Sequence, residues 1–150
     1  MFDSNIKIYL ASKSPRRRKL LKTIGLDFTS FAVNLNEEIL DGEHPIKTVK
    51  RLSLHKLEMA KNKIKSGVII TADTIVVLNK EIIGKPKDEI DAFNILKKLS
   101  GNTHTVYTGF AIENLNTKKR IVDYEKTKVT FRKLNDDEIL EYIKSGSPMD

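Results

Sequence analysis

The run VIITADTIVVL at Val68 to Leu78 constrains the fold more than any other part of the chain. It is the most apolar stretch and is rich in β-branched residues, which predicts a buried strand. Asn79-Lys80 then predicts a tight turn into a second strand at Glu81 to Ile83. Asp73 interrupts the apolar run, so its carboxylate must be hydrogen-bonded, paired, metal-bound or protonated, unless it marks only a turn or the end of a strand.

Helices and strands mix along the chain without strict alternation. Because no repeat or Pro/Gly/Ser linker divides the sequence, we expect one domain over residues 1–150, of the α/β class (or mixed α+β) with a mixed sheet. The remaining predicted strands are 6–11, 28–33, 103–113 and 120–132, and the predicted helices are 15–24, 45–65, 89–99 and 136–145.

Composition restricts the class of protein. The 150 residues include no cysteine, which excludes disulfides, thiolate metal sites and a Cys nucleophile. No window approaches the ~18 consecutive apolar residues of a membrane span, and the N-terminus does not have the order of a signal peptide. We therefore expect a cytoplasmic protein with no membrane association.

The formal net charge of +7 comes from two local clusters. Residues 1–25 and residues 47–65 each carry seven Lys or Arg against one acidic residue. This local charge suggests an anionic partner.

The segment LASKSPRRRKLL places a strand, a serine-rich turn and a capped helix in succession. Ser14 is the predicted N-cap and Pro15 the first helical residue. Three arginines in the first helical turn oppose the helix dipole unless an anion lies among them. We favour an oxyanion site here over the alternative of a solvated basic helix face, with at least one arginine facing solvent.

Two lysines are further candidates. Lys56 is spaced four residues from Leu52 and from Ala60, so it projects from the apolar stripe of its helix and requires a partner, although snorkelling past the core is as good an explanation. Lys85 lies in the Gly84-Lys85-Pro86 turn, where proline restricts its direction. Glu37, in the acidic loop after the second strand, is a weak candidate on its own.

Together these groups predict a site for a polyphosphate with a hard divalent cation. Carboxylates hold Mg²⁺ or Mn²⁺, while lysine and arginine neutralise phosphate oxygens. The scan for other motifs is negative: the chain has no Walker A sequence, G-x-G-x-x-G, H-E-x-x-H or G-x-S-x-G. The three histidines are too scattered along the sequence to suggest a metal cluster.

The same positions resemble the Maf proteins, which are nucleoside triphosphate pyrophosphatases also described as septum-formation inhibitors. The resemblance covers nearly the whole chain in order. Its signatures are LASKSPRR at 10–17, Glu37, the R-L-x-x-x-K pattern ending at Lys56, ADTIV around Asp73, GKP at 84–86, LSGNTHTVYTG at 99–109, VTFRKL at 129–134 and the terminal SPMD.

The resemblance implies a Maf/ITPase-like fold, a twisted mixed sheet flanked by helices with a central cleft. It also implies hydrolysis of a nucleoside triphosphate between the α and β phosphates, with Mg²⁺ or Mn²⁺ as cofactor. Asp73 would be the catalytic base and would hold the metal with Glu37, while Lys56 and Lys85 would assist catalysis. The implied substrate-binding residues are Ser12, Ser14, Arg16, Arg17 and Thr74.

Within the family, Ala72-Asp73-Thr74 is similar to the subgroup acting on dTTP and UTP. This resemblance suggests modified pyrimidine nucleotides as further substrates. Family members continue beyond the position of Asp150, so we expect the chain to lack the family's C-terminal segment. Two alternatives follow: an impaired, nucleotide-binding or regulatory Maf-like protein, or a basic nucleic-acid-binding module. The second is disfavoured because no aromatic residues are interleaved with the basic clusters. A homodimer is a further expectation from the resemblance.

Overall fold

The computed structural model describes residues 6–35 and 39–146. It contains four helices and six strands in those ranges. In chain order they are β1 (Ile8–Ala11), α1 (Pro15–Thr23), β2 (Thr29–Phe31), α2 (Pro45–Ala60), β3 (Val68–Leu78), β4 (Glu81–Ile83), α3 (Glu89–Leu99), β5 (Thr103–Asn114), β6 (Lys119–Thr130) and α4 (Asp136–Lys144). Every predicted element is present, so the mixed α/β class is confirmed.

The strands form one mixed sheet of order β2-β1-β3-β5-β6, with β4 paired to β3. β1 pairs in parallel with both β2 and β3, whereas β4 is antiparallel to β3. Parallel neighbouring strands need a crossover connection, which is usually a helix. Here α1 follows β1 in the chain and α2 follows β2. The mixed sheet follows from combining these crossovers with the tight turn at Asn79 and Lys80, both of which have positive φ.

By their contacts the residues divide into two compact units. The first comprises Met1–Thr74 and Thr108–Glu125, and the second comprises Ile75–Tyr107 and Lys126–Asp150. The core of the first unit joins α2 to the sheet through Leu57, Ala60, Ile69 and Ala111. The core of the second unit joins α3 to α4 through Ala92, Leu96, Ile139 and Ile143.

Several elements are shorter than predicted. The α2 helix ends at Ala60 and not near Lys65, because the chain closes a tight turn in which the amides of Lys63 and Ile64 both donate to the Ala60 carbonyl. Ile64 continues the apolar spacing and packs partly buried against the core, which explains why its periodicity looked helical. β1, β2 and β6 are also shorter than predicted.

Among the described residues, no helix combines the length and the apolar character needed to cross a membrane.

Candidate active site

The candidate site is built where β3 extends beyond its parallel neighbour. The pairing of β1 with β3 ends at Leu10 and Ile70, and β3 continues to Leu78. Ala72, Asp73 and Thr74 therefore follow the last paired residue. Side chains from α1, α2 and β5 form hydrogen bonds with these three residues.

Asp73 is paired with Lys56. The Lys56 Nζ lies 3.0 Å from Asp73 Oδ1, and the two side chains are 12% and 6% exposed. The same ammonium group also donates to the Ala72 carbonyl at 3.4 Å. The prediction that Lys56 needs a partner is confirmed, and of the options predicted for Asp73 the structure realises pairing and hydrogen bonding. Because this ion pair is deeply buried, each side chain depends on the other to balance its charge.

Arg17 reaches the same stretch of β3 from α1. Its Nη1 donates to the Ala72 carbonyl at 3.1 Å and to Ser12 Oγ at 3.3 Å, and its Nη2 donates to Thr74 Oγ1 at 2.9 Å. The guanidinium is thus fixed against the protein through both of its terminal nitrogens. The Ala72 carbonyl accepts hydrogen bonds from two cations, Arg17 and Lys56.

The serine turn sets the position of Arg17. Ser14 caps α1, its Oγ accepting a hydrogen bond from the Arg17 amide at 3.3 Å, and Pro15 is in the first turn. Ser12 Oγ accepts from the Ser14 amide at 3.1 Å, which tightens the turn. The predicted cap is confirmed. α1 has no buried residue, so the cap and the Arg17 contacts are important for holding it in place.

The structure therefore brings together Ser12, Ser14, Arg17, Lys56, Asp73 and Thr74. Arg16 and Arg18 are exposed, as expected of at least one arginine in the cluster. Lys85 is exposed and belongs to the second unit, so its catalytic role stays a prediction. Glu37 lies outside the described residues, and its role as a metal ligand also stays a prediction.

Sequence reasoning did not identify Thr108 as a site residue. Its Oγ1 lies 2.9 Å from Thr74 Oγ1, which joins β5 to the site. Thr108 lay within the LSGNTHTVYTG signature, but a lone threonine in a strand carries no signal of its own. Only the alignment of β5 beside β3 reveals its partner.

Gly109, the next residue, allows α2 to approach the sheet. A Cβ placed at Gly109 would lie 2.2 Å from the Val49 carbonyl oxygen, far inside any contact distance. Thr71 fixes the same interface, because its buried Oγ1 donates to the Ser53 carbonyl at 2.7 Å. These two contacts hold α2 against the sheet and thereby set the reach of Lys56 to Asp73.

A second buried carboxylate, Glu113, was also not predicted. It forms ion pairs with Lys61 at 2.9 Å and Arg120 at 2.6 Å, and Arg120 also pairs with Glu58. Burial raises the pKa of Glu113, but the hydrogen bonds from Lys61 and Arg120 outweigh this and leave the pKa below its ordinary value. Glu113, Lys61 and Arg120 line an open cavity of about 550 Å³ with Ile64 and Leu115.

Comparison with known proteins identifies the family. The model for Maf-like proteins matches residues 7–150. The chain belongs to the Maf family. A Maf relative from Thermoanaerobacter sp. (strain X514), named dTTP/UTP pyrophosphatase, is 47% identical over 146 residues, covering 97% of this chain and 76% of its own. A relative with the same name from Aquifex aeolicus is 42% identical, covering 97% of this chain and 75% of its own.

The fold of this Maf protein also has a distant structural likeness. The Ham1 protein from Staphylococcus aureus has a TM-score of 0.52 at 12% identity, over 81% of this chain and 70% of the Ham1 chain. At that identity the likeness concerns the fold alone. It agrees with the expected mixed sheet flanked by helices.

Proposed function

We propose that this Maf protein is a nucleoside triphosphate pyrophosphatase that acts on dTTP and UTP. The observation that carries the proposal is the Lys56–Asp73 pair at 3.0 Å, with Arg17 bonded to the neighbouring residues of β3. The names of the relatives at 42–47% identity support the substrate class. In this proposal residues 1–150 form one Maf-like domain.

In the proposed reaction, water cleaves the bond between the α and β phosphates. Asp73 accepts a proton from the attacking water and acts as general base. The oxygen of that water is added to the nucleotide phosphate group, and pyrophosphate leaves. The products are a nucleoside monophosphate and pyrophosphate.

The cations have two different roles in this proposal. Lys56 holds one carboxylate oxygen of Asp73 by a charge-assisted hydrogen bond and so orients the base. Arg17 holds the backbone and hydroxyl of the residues on either side of Asp73. Arg16 and Lys85, both exposed, are the candidates for contact with phosphate oxygens.

We propose a divalent cation, Mg²⁺ or Mn²⁺, as the cofactor. Within 6–35 and 39–146 no group of three or more Asp, Glu, His or Cys could hold a metal ion by itself. Mg²⁺ is commonly bound through one or two carboxylates, with substrate phosphates and water completing its shell. Asp73 and Glu37 would supply those carboxylates, and the cation would neutralise negative charge on the phosphates.

Thr74, which distinguishes the dTTP/UTP subgroup in the resemblance, is the candidate for base selectivity. Ser12 and Ser14 are candidate substrate-binding residues through their hydroxyl groups. We propose a cytoplasmic enzyme that acts on free nucleotides, without a nucleic-acid partner, and that assembles as a homodimer. Sedimentation of the purified protein at several concentrations tests the dimer.

The activity is tested by measuring pyrophosphate release from dTTP, UTP, CTP, dCTP and 7-methyl-GTP with Mg²⁺ or Mn²⁺. We expect dTTP and UTP to be the preferred substrates. Asp73→Asn keeps an oxygen acceptor for Lys56 but removes the base, so it should lower turnover by at least about a hundredfold. Nucleotide binding without turnover by the wild-type protein would instead identify a binding or regulatory protein.

A further inference from the structure

The hydroxyl groups of Thr74 and Thr108 extend the site onto β5. Arg17 Nη2 donates to Thr74 Oγ1 at 2.9 Å, and Thr74 Oγ1 in turn lies 2.9 Å from Thr108 Oγ1. Three side chains from α1, β3 and β5 are thus linked in one hydrogen-bonded series. All three residues belong to the first compact unit.

This series lies on the face of the sheet opposite to the Lys56–Asp73 pair. Successive side chains of a strand point to opposite faces, so Thr74 faces away from the α2 side, where Asp73 meets Lys56. On β5, Gly109 faces α2, because its missing Cβ would meet the Val49 carbonyl. Its neighbour Thr108 therefore shares the face of Thr74, as their hydrogen bond requires.

The dipeptide Asp73-Thr74 is consequently held from both faces. Lys56 fixes Asp73 on one face, while Arg17 and Thr108 fix Thr74 on the other. Thr74 is exposed, so without Thr108 its hydroxyl could rotate toward water and Arg17 would lose a fixed acceptor. The orientation of Asp73 would then be less restricted.

We propose that Thr108 is a positioning residue for the reaction, an inference that rests on the proposed pyrophosphatase function. It acts through Thr74 and touches neither the substrate nor the reacting water. Its hydroxyl keeps Thr74 and Arg17 in place, and through them the peptide that carries Asp73.

The experiment compares Thr108→Val, which keeps the side-chain shape and removes the hydroxyl, with Thr108→Ser, which keeps the hydroxyl. The matched control is Thr103→Val on the same strand. Thr103 Oγ1 makes an equally short bond, 2.8 Å, to Thr130 Oγ1, at an exposed position without an arginine in the series. Kinetics with UTP are measured for all three variants, together with amide hydrogen exchange at residues 73 and 74.

Thr108→Val should lower kcat by roughly tenfold, because misplacement of a catalytic group affects the chemical step. Thr108→Ser should restore most of kcat, and Thr103→Val should match the wild type. Amide exchange at residues 73 and 74 should be faster in Thr108→Val alone.

Wild-type kcat and unchanged exchange in Thr108→Val would overturn the inference, as would an equal loss in Thr103→Val or no recovery in Thr108→Ser. Failure of the proposed function has a different signature, which is the absence of pyrophosphate release from every nucleotide by the wild-type protein. In that case, unchanged amide exchange in Thr108→Val would still reject the role of Thr108 in positioning the Asp73-Thr74 segment. Faster exchange would support that role.

Discussion

Among the single residues of the site, Lys56 and Asp73 are the most important, because each balances the charge of the other. Removing one partner of a buried ion pair leaves an uncompensated charge, which is far more costly than the pair itself is stabilising. The short distance and low exposure of both side chains place this pair in that class. Their substitutions should therefore change stability as well as activity.

We predict that Lys56→Met lowers the free energy of unfolding by roughly 3 kcal/mol, because Asp73 remains buried without its ammonium partner. Urea unfolding at pH 7 measures this effect. Lys47→Met is the matched control, since Lys47 is an exposed lysine on the same helix and should change stability little. Equal effects of the two substitutions would contradict the assigned role of the pair.

Glu113 gives a prediction about pH. Its pKa lies below the ordinary value in the folded protein, so the ionised carboxylate contributes stability above the ordinary glutamate pKa. That contribution is lost as the pH falls through the lower pKa of the folded state. Glu113→Gln should reduce stability at pH 7 and make it less dependent on pH in the acid range.

Chemical unfolding measured from pH 7 down to pH 3 tests this prediction. Glu125→Gln, at an exposed position on β6, provides the control and should retain the pH dependence of the wild type. A wild-type pH dependence in Glu113→Gln would show that another group is responsible.

Among the helices and strands, the contact of α2 with β5 determines where Lys56 lies relative to Asp73. Backbone atoms of Val49 occupy the space where a Cβ of residue 109 would lie. Neither element can move far, since Thr71 bonds the same helix to the sheet and the adjoining core is closely packed. The distance from α2 to Asp73 therefore depends on Gly109 together with the Thr71 bond.

Gly109→Ala should lower the free energy of unfolding by about 3 kcal/mol, because the added methyl group overlaps a helix carbonyl. It should also lower turnover by displacing Lys56. Gly84→Ala is the control for stability, since a Cβ there meets nothing within 4 Å and the backbone has no positive φ. A stable Gly109→Ala protein would show that α2 can be moved without cost.

The sequence predicted the elements well and the contacts between them only in part. The Lys56 partner could be anticipated because a charge in an apolar helical stripe has to be neutralised. The cap of α1 could be predicted equally well, since it depends on neighbouring residues. The roles of Thr108, Gly109 and Glu113 could not be predicted, because they depend on which strand or helix lies beside each residue.

The whole molecule combines a basic sequence with a site in which cations are already engaged by the protein. Arg17 and Lys56, one from each basic cluster, bond to β3 around Asp73. Arg16 and Lys85, which are exposed, are the basic residues that we propose to contact phosphate oxygens. The chain spans about three-quarters of the length of the curated relatives it matches.

We propose that Asp73 is the general base for hydrolysis between the α and β phosphates. The most direct test is to identify the products of UTP with a divalent cation for the wild type and for Asp73→Asn, with circular dichroism to confirm folding. We predict equimolar UMP and pyrophosphate from the wild type and neither product, above background, from Asp73→Asn. Release of UDP and inorganic phosphate, or full activity in folded Asp73→Asn, would contradict it.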